Sequence, residues 1–159
     1  MHRTAEGLAT EAGEFQQIAA LLGGTHVLRR KLTSPLDAHD LIVRGLPGQA
    51  LQHLIKGLTV LPQAALLEQA VGVSLRTFQR HKGAPARPLS KDQGGRTWKF
   101  AEVLAKAIAV FGSQEAAERW LCQPALGLNR RRPIELLATP AGVELVEDLL
   151  GRMKYGVYT

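Results

Sequence analysis

The sequence has 159 residues, of which 45% are hydrophobic, and this suits one ordinary domain or two small ones with a buried core. Twenty Lys and Arg against fourteen Asp and Glu give a net charge of +6 and a pI near 9.9, which indicates nucleic acid or another acidic partner. No apolar run approaches the roughly 18 residues that cross a bilayer, and the first residues lack an apolar signal segment. The single cysteine, Cys122, excludes an internal disulfide and fits a reducing compartment. We therefore expect a cytoplasmic protein without membrane association.

The punctuation of the chain predicts an all-α protein, because no segment shows the sustained two-residue alternation of a half-buried strand. Residues 1–13 are small and polar, and we expect them to form a flexible N-terminus. Residues 14–88 are predicted to form the first helical domain. Three of its helices are expected to begin at Pro35, Pro47 and Pro62, the first of them preceded by the capping residue Ser34. Helices are expected to end at Gly23-Gly24, Gly45 and Gly57.

The stretch from Gly83 to Gly95 contains Pro85, Pro88 and the pair Gly94-Gly95, which disfavour a regular helix. A linker is predicted over residues 89–96. The second domain is predicted over residues 97–159. Its helices are expected to begin behind three hydroxyl residues: Thr97, Ser113 and Thr139.

The excess positive charge is confined to one sixth of the chain. The window from Ser74 to Lys99 holds seven basic residues and one acid, which equals the whole net charge of +6. The rest of the chain is balanced. Long basic side chains can simply solvate an exposed linker, so the charge by itself leaves two interpretations open.

Residues 66–82 carry the pattern of a helix-turn-helix. Gly72 suits the positive φ of a tight turn, Ser74 can cap the second helix, and Leu75 and Phe78 are expected to face the core. The remaining side chains can contact base edges or phosphates, which gives a predicted DNA-binding set of Ser74, Arg76, Thr77, Gln79, Arg80 and Lys82.

Two observations keep another interpretation open for this segment. The same spacing fits an ordinary helical hairpin inside an all-helical core. In addition, Glu68 stands four residues before the turn glycine, where a small residue lets two helices approach closely. A bulky acid at that position would weaken DNA binding.

The last residues, from Tyr155 to Thr159, lack a helical pattern and hold two of the eight aromatic residues of the chain. An aromatic tail of this kind is typical of partner binding. The alternative is that Tyr155 and Tyr158 fold back onto the helices of their own domain.

The second domain resembles, over about residues 95–159, the toxin-binding domain of the Xre/MbcA/ParS antitoxins. The landmarks in order are Thr97-Trp98-Lys99-Phe100, Val110-Phe111-Gly112, Arg119-Trp120-Leu121, Arg132-Pro133, Leu136-Leu137-Ala138-Thr139-Pro140 and Tyr155-Gly156-Val157-Tyr158. The preceding helix-turn-helix resembles the Xre-like DNA-binding half of the same family.

This resemblance implies an antitoxin of a bacterial type II toxin–antitoxin pair. The toxin of such a pair usually carries a RES domain, an NAD-consuming fold, whose active site the antitoxin blocks while the complex represses its own operon. The implied partners are therefore the cognate toxin and operator DNA, the latter bound by a homodimer. Residues expected to contact the toxin are Arg130, Arg131, Arg132, Arg152, Lys154, Tyr155, Gly156, Val157 and Tyr158.

No enzymatic activity, metal or cofactor is expected. The five histidines are scattered without ligand spacing, Cys122 follows an apolar helix end, and the chain lacks a phosphate loop, a dinucleotide-binding glycine pattern and a Gly-x-Ser-x-Gly motif. The alternative to an antitoxin is a free-standing helix-turn-helix transcription regulator whose C-terminal module dimerises or binds another partner.

Overall fold

The computed structural model describes residues 5–84 and 86–156, and within them the chain forms helices and two isolated bridge contacts but no strand. The helices are α1 (Ala5–Leu21), α2 (Gly24–Leu28), α3 (Pro35–Arg44), α4 (Gly48–Lys56), α5 (Gln63–Ala65), α6 (Leu75–His81), α7 (Lys91–Phe111), α8 (Gln114–Leu121), α9 (Pro133–Leu136) and α10 (Pro140–Lys154). A π-helical turn, Leu66–Val71, continues α5, and a 3-10 turn, Leu126–Leu128, precedes α9. The all-α prediction is confirmed.

Hydroxyl caps begin the helices at several of the predicted positions. The Ser34 hydroxyl accepts a hydrogen bond from the backbone of Asp37 (3.2 Å), and Thr139 does the same for Gly142 (3.0 Å). Ser113 caps α8 in this way. These caps satisfy backbone N–H groups that the first turn of a helix leaves without partners, which is why local sequence predicts them.

Residues 5–13, predicted to form a flexible N-terminus, form the first half of α1. Ala and Glu are the commonest residues of this stretch besides glycine, and both favour helix. Further along, Ile18 of α1 and Leu22, which directly follows α1, are buried in the core and stabilise the helix. Residues 1–4 lie outside the described residues.

Within the linker predicted over 89–96, the expectation that no regular helix forms is wrong for residues 91–96, which form the first turns of α7. A capping box begins this helix: the Ser90 hydroxyl accepts from the backbone of Gln93 (3.1 Å), and the Gln93 side chain accepts from the backbone of Ser90 (3.5 Å). Gly94 is buried, and a Cβ there would lie 3.3 Å from Leu46 Cβ, so the glycine permits a close approach. Packing thus outweighs the intrinsic cost of about 1 kcal/mol for a glycine in a helix.

Helix α7 is the central element and belongs to both halves of the protein. It packs against α1, α3, α8, α10 and the π-helical turn. Thr97, predicted as a cap, is instead buried inside the helix, where its hydroxyl donates to the Gln93 carbonyl (2.7 Å). Phe100 and Leu104 are fully buried in one continuous core.

Three charged residues connect α7 to α10. Glu147 Oε2 lies 2.7 Å from Lys106 Nζ, and Glu147 Oε1 lies 3.1 Å from Lys99 Nζ. Burial raises the pKa of Glu147, but the two lysines outweigh this effect and hold that pKa below its ordinary value. The cluster fixes α10 against the middle of α7.

Candidate DNA-binding and toxin-binding sites

The turn between the π-helical segment and α6 has the geometry that the sequence predicts. Gly72 adopts φ +80°, in the left-handed region that favours glycine. Ser74 caps α6, because its hydroxyl accepts from the Thr77 backbone (3.1 Å) and donates to the Thr77 hydroxyl (2.9 Å). Two of the six predicted DNA-binding side chains therefore also stabilise the start of this helix.

Glu68 is exposed, so its carboxylate does not separate the two helices of the motif. Residues Leu66–Val71 form a π-helical turn, whose wider winding moves each later side chain relative to a regular helix. Ala70 and Val71 are the buried residues before the turn glycine. The sequence-based objection to close helix packing does not apply to this geometry.

Arg96 of α7 fixes the end of this π-helical turn. Its Nε donates to the Ala70 carbonyl (2.8 Å) and its Nη2 donates to the Gln69 carbonyl (3.3 Å). A Cβ on Gly72 would lie 2.2 Å from Arg96 Nη1, so the turn needs glycine both for its φ and for this guanidinium. Sequence analysis counted Arg96 only as part of the basic window and missed this role.

The outer face of α6 presents three of the predicted side chains. Arg76, Gln79 and Arg80 are exposed and follow i, i+3, i+4 spacing, opposite Phe78, which is buried. Leu75 was expected to face the core but is 36% exposed, since it is the first residue of a helix of only seven.

Lys82 stands at the end of α6, on the side of Phe78. Its ammonium lies 5.5 Å from the centre of the Phe78 ring, within the range of a cation–π contact. Lys82 is exposed, and its position one residue after the helix separates it from the Arg76, Gln79 and Arg80 face.

The end of α10 brings together four of the residues predicted to contact the toxin. Arg152 is partly buried, while Lys154 and Tyr155 are exposed and the Lys154 ammonium lies 5.8 Å from the Tyr155 ring centre. Tyr155 is 78% exposed and so does not fold back onto the helices. The Gly156 backbone donates to the Met153 carbonyl (3.2 Å) at a φ of +70°. Val157 and Tyr158 lie outside the described residues.

The other predicted contact residues lie in the loop before α9. Asn129 adopts φ +57° and Arg130 φ +64°, so the loop uses the left-handed region twice without glycine. Arg130 and Arg131 are exposed. Arg132 is bound to the Glu135 carboxylate through its Nε (2.8 Å) and Nη2 (2.6 Å).

Sequence analysis missed a buried carboxylate, Glu118 of α8, which has no exposed surface. Its oxygens accept hydrogen bonds from three consecutive backbone N–H groups, those of Thr59 (2.9 Å), Val60 (3.0 Å) and Leu61 (2.9 Å). The Thr59 hydroxyl (2.9 Å) and the Gln114 amide (2.8 Å) donate as well. Burial raises the pKa of Glu118, but these donors together outweigh it and lower the pKa below its ordinary value.

Cys122 is partly buried, and burial raises the pKa of its thiol, so the thiol is protonated at neutral pH and is a weak nucleophile. The described residues contain no group of three or more His, Cys, Asp or Glu arranged to hold a metal ion. None of the described helices combines the length and the apolar character needed to span a bilayer.

A helix-turn-helix with an outward basic face, joined through one long helix to a second helical unit, defines the class as a helix-turn-helix protein with an appended interaction module. Comparison with known families matches residues 37–102 to the antitoxin Xre-like helix-turn-helix domain. Residues 106–156 match the antitoxin Xre/MbcA/ParS C-terminal toxin-binding domain. Both matches meet within α7.

Curated relatives give the same result. The chain is 30% identical over 151 residues to an antitoxin Xre of Pseudomonas putida, an alignment that covers 90% of this chain and 94% of the relative. It is 32% identical over 100 residues to an antitoxin Xre of Yersinia enterocolitica, with 62% of this chain and 66% of the relative covered. A relative of the same name from Photorhabdus laumondii is 28% identical over 87 residues, 54% of this chain and 58% of the relative. The chain belongs to the Xre/MbcA/ParS family of antitoxins.

Proposed function

We propose that this antitoxin neutralises a RES-type, NAD-degrading toxin by placing the end of α10 and the residues after it in the toxin's active-site cleft. The observation that carries the proposal is the exposed ring of Tyr155, which extends from a capped helix with the Lys154 ammonium beside it. A cleft that accepts the flat bases of a dinucleotide suits an aromatic ring, and Tyr158 supplies a second one. Inhibition is then steric occlusion of the NAD site.

Deleting residues 154–159 tests this proposal. We expect the shortened antitoxin to leave NAD consumption by the purified toxin uninhibited at a concentration at which the full chain blocks it. Its melting temperature should stay unchanged, because Lys154 and Tyr155 contribute exposed side chains. Lys31→Ala is the control, because Lys31 is an exposed lysine far in the sequence from residues 154–159, and this variant should inhibit the toxin fully. Full inhibition by the shortened chain would contradict occlusion by these residues.

The same antitoxin, with its toxin, is proposed to repress its own operon. In this proposal a homodimer places two α6 helices in successive major grooves of an inverted repeat, about one helical turn of DNA or roughly 34 Å apart. The exposed face of Arg76, Gln79 and Arg80 supports this function, since Arg and Gln side chains make bidentate contacts to base edges. Ser74, Thr77 and Lys82 are the residues proposed to contact phosphates.

The double variant Arg76→Ala/Arg80→Ala tests the DNA contacts. A bidentate base contact contributes about 1–3 kcal/mol, so losing two should weaken binding to the operon's promoter fragment by roughly 30-fold or more. Affinity is measured at several salt concentrations, because phosphate contacts determine the salt dependence. Lys82→Ala should instead weaken binding to all sequences alike and flatten that dependence.

Arg119→Ala is the control for these variants. This exposed arginine of α8 pairs with Glu115 (2.5 Å) and lies outside the helix-turn-helix. Its loss should leave DNA affinity unchanged. Operator binding that survives the double substitution would exclude α6 as the recognition helix.

A further inference from the structure

We infer that the loop before α9 and the adjoining side of α10 form a second toxin contact, separate from residues 154–159. We call it the Leu126 face and define it by Leu126, Leu145, Leu149, Arg130 and Arg131. The inference rests on the proposed function in one respect, namely that this chain binds a toxin. It adds where the toxin is held, as distinct from where it is inhibited.

The first observation is that Leu126 is 84% exposed yet extends from a rigid loop. The Ala125 backbone donates to the Arg131 carbonyl (3.0 Å), and the Ala125 carbonyl accepts from both Leu128 (3.1 Å) and Arg130 (2.9 Å). Leu128 is buried and anchors the loop in the core. A large apolar side chain on a fixed backbone loses little conformational entropy when it enters a pocket, which is the property of an interface anchor.

The second observation is that the loop lies directly against α10. A Cβ on Gly127 would lie 2.8 Å from Leu149 Cδ1, so glycine is what lets the loop backbone approach this side chain. Leu145 precedes Leu149 by one helical turn on the same side of α10 and is 55% exposed. Leu126 is next to Gly127 in the loop and Leu145 is one turn from Leu149 in the helix, so we assign the two exposed leucines to one apolar surface.

The third observation is the charge at the border of this surface. Arg130 and Arg131 are exposed, and neither has a carboxylate within ion-pair distance among the residues that the structure describes, whereas Arg132 is bound to Glu135. Arg130 also adopts φ +64°, a conformation that costs energy for any residue other than glycine and that the loop hydrogen bonds maintain. The complementary partner surface is an apolar pocket bordered by carboxylates.

The toxin is the occupant that these features favour. The whole face lies within residues 106–156, the segment that matches a toxin-binding domain. An exposed leucine in this loop does not suit a DNA backbone, which presents phosphates and offers no apolar pocket. A hydrophobic centre with a polar border has the general arrangement of a protein–protein interface.

Leu126→Ala tests the inference in the full-length antitoxin, with the purified product of the neighbouring toxin gene as the probe. Burial of a leucine corresponds to roughly a 10- to 100-fold difference in Kd, so we expect a loss of that size in titration calorimetry. Leu126→Asp should weaken binding further, because it places a carboxylate opposite carboxylates. Leu36→Ala is the matched control, since Leu36 is 67% exposed on α3, and it should leave the Kd unchanged. Circular dichroism and the melting temperature confirm that each variant is folded.

The shortened antitoxin that lacks residues 154–159 separates this inference from the proposed function. It should still bind the toxin through the Leu126 face while NAD consumption continues. If the wild type binds the toxin and both Leu126→Ala and Leu126→Asp bind it with the same Kd, the inference is wrong while the proposed function stands. A wild type that does not bind the toxin would overturn both. If Leu126→Asp instead converts an antitoxin dimer to a monomer at unchanged toxin affinity, the face joins two copies of this chain and the inference is wrong.

Discussion

Glu118→Ala is expected to lower the free energy of unfolding by about 3 kcal/mol or more. The substitution removes the carboxylate that accepts from the backbone N–H groups of residues 59–61, of which Leu61 is buried, and each hydrogen bond to a charged group contributes about 1.5–3 kcal/mol. Urea denaturation followed by circular dichroism measures the change. Glu115→Ala is the matched control on the same helix, because that carboxylate is 59% exposed and pairs with the exposed Arg119. It should change stability by less than about 0.5 kcal/mol.

The same carboxylate gives a pH dependence with a definite sign. The folded-state pKa of Glu118 lies below the ordinary value of 4.5, so its contribution to stability is present above pH 4.5 and is lost as the pH falls through the folded-state pKa. Glu118→Gln cannot ionise and lacks this contribution at every pH. The stability difference between wild type and Glu118→Gln should therefore be largest near neutral pH and shrink below pH 4.5. A difference that is constant from pH 7 to pH 3 would contradict this role of the carboxylate.

Gly142→Ala is expected to destabilise the protein by about 3 kcal/mol or more and to weaken toxin binding as a consequence. A Cβ at this position would lie 1.9 Å from the Leu136 carbonyl oxygen. Both atoms are held by the backbone, so no side-chain rotation can relieve the clash. The clash would separate the start of α10 from the end of α9. Thermal unfolding and toxin titration measure the two effects.

Gly151→Ala provides the control for the previous variant because it makes the same chemical change on the same helix. Among the described residues, apart from its chain neighbours and the adjacent backbone of α10, no heavy atom lies within 4 Å of a Cβ built at Gly151. Alanine favours helix over glycine by up to about 1 kcal/mol, so this variant should be slightly more stable than the wild type. Equal losses at the two positions would show that the carbonyl contact of Gly142 is not the cause.

The features of the fold that the sequence predicts are those with local causes. Ser34, Ser113 and Thr139 cap helices whose first turns are adjacent in the chain, and Gly72 adopts the positive φ that its turn requires. Gly94 lies inside a helix although glycine disfavours helix, because the side chain of Leu46, distant in the sequence, packs closely against it. Local propensity is a weak guide where tertiary packing decides the conformation.

In the candidate sites, too, the sequence predicts the features with local causes and not those that depend on distant residues. Helical spacing alone predicts that Arg76, Gln79 and Arg80 share an outward face, as they do. Glu118 and Arg96 could not be recognised, since their partners are 57–59 and 26–27 residues away. The exposure of Leu126 is likewise a property of the folded loop, because leucine in an unknown structure is more often buried than exposed.

Because α7 is one continuous helix, the number of residues in it determines how the DNA-binding half and the toxin-binding half are rotated relative to each other. The match to the helix-turn-helix domain ends at residue 102 and the match to the toxin-binding domain begins at 106, both inside this helix. Inserting one residue between them would rotate everything that follows by about 100° and advance it by about 1.5 Å. An insertion or deletion in α7 should therefore disturb function more than a substitution at one of its exposed positions. Chimeric antitoxins that exchange DNA-binding and toxin-binding halves should be joined here only with the helical phase preserved.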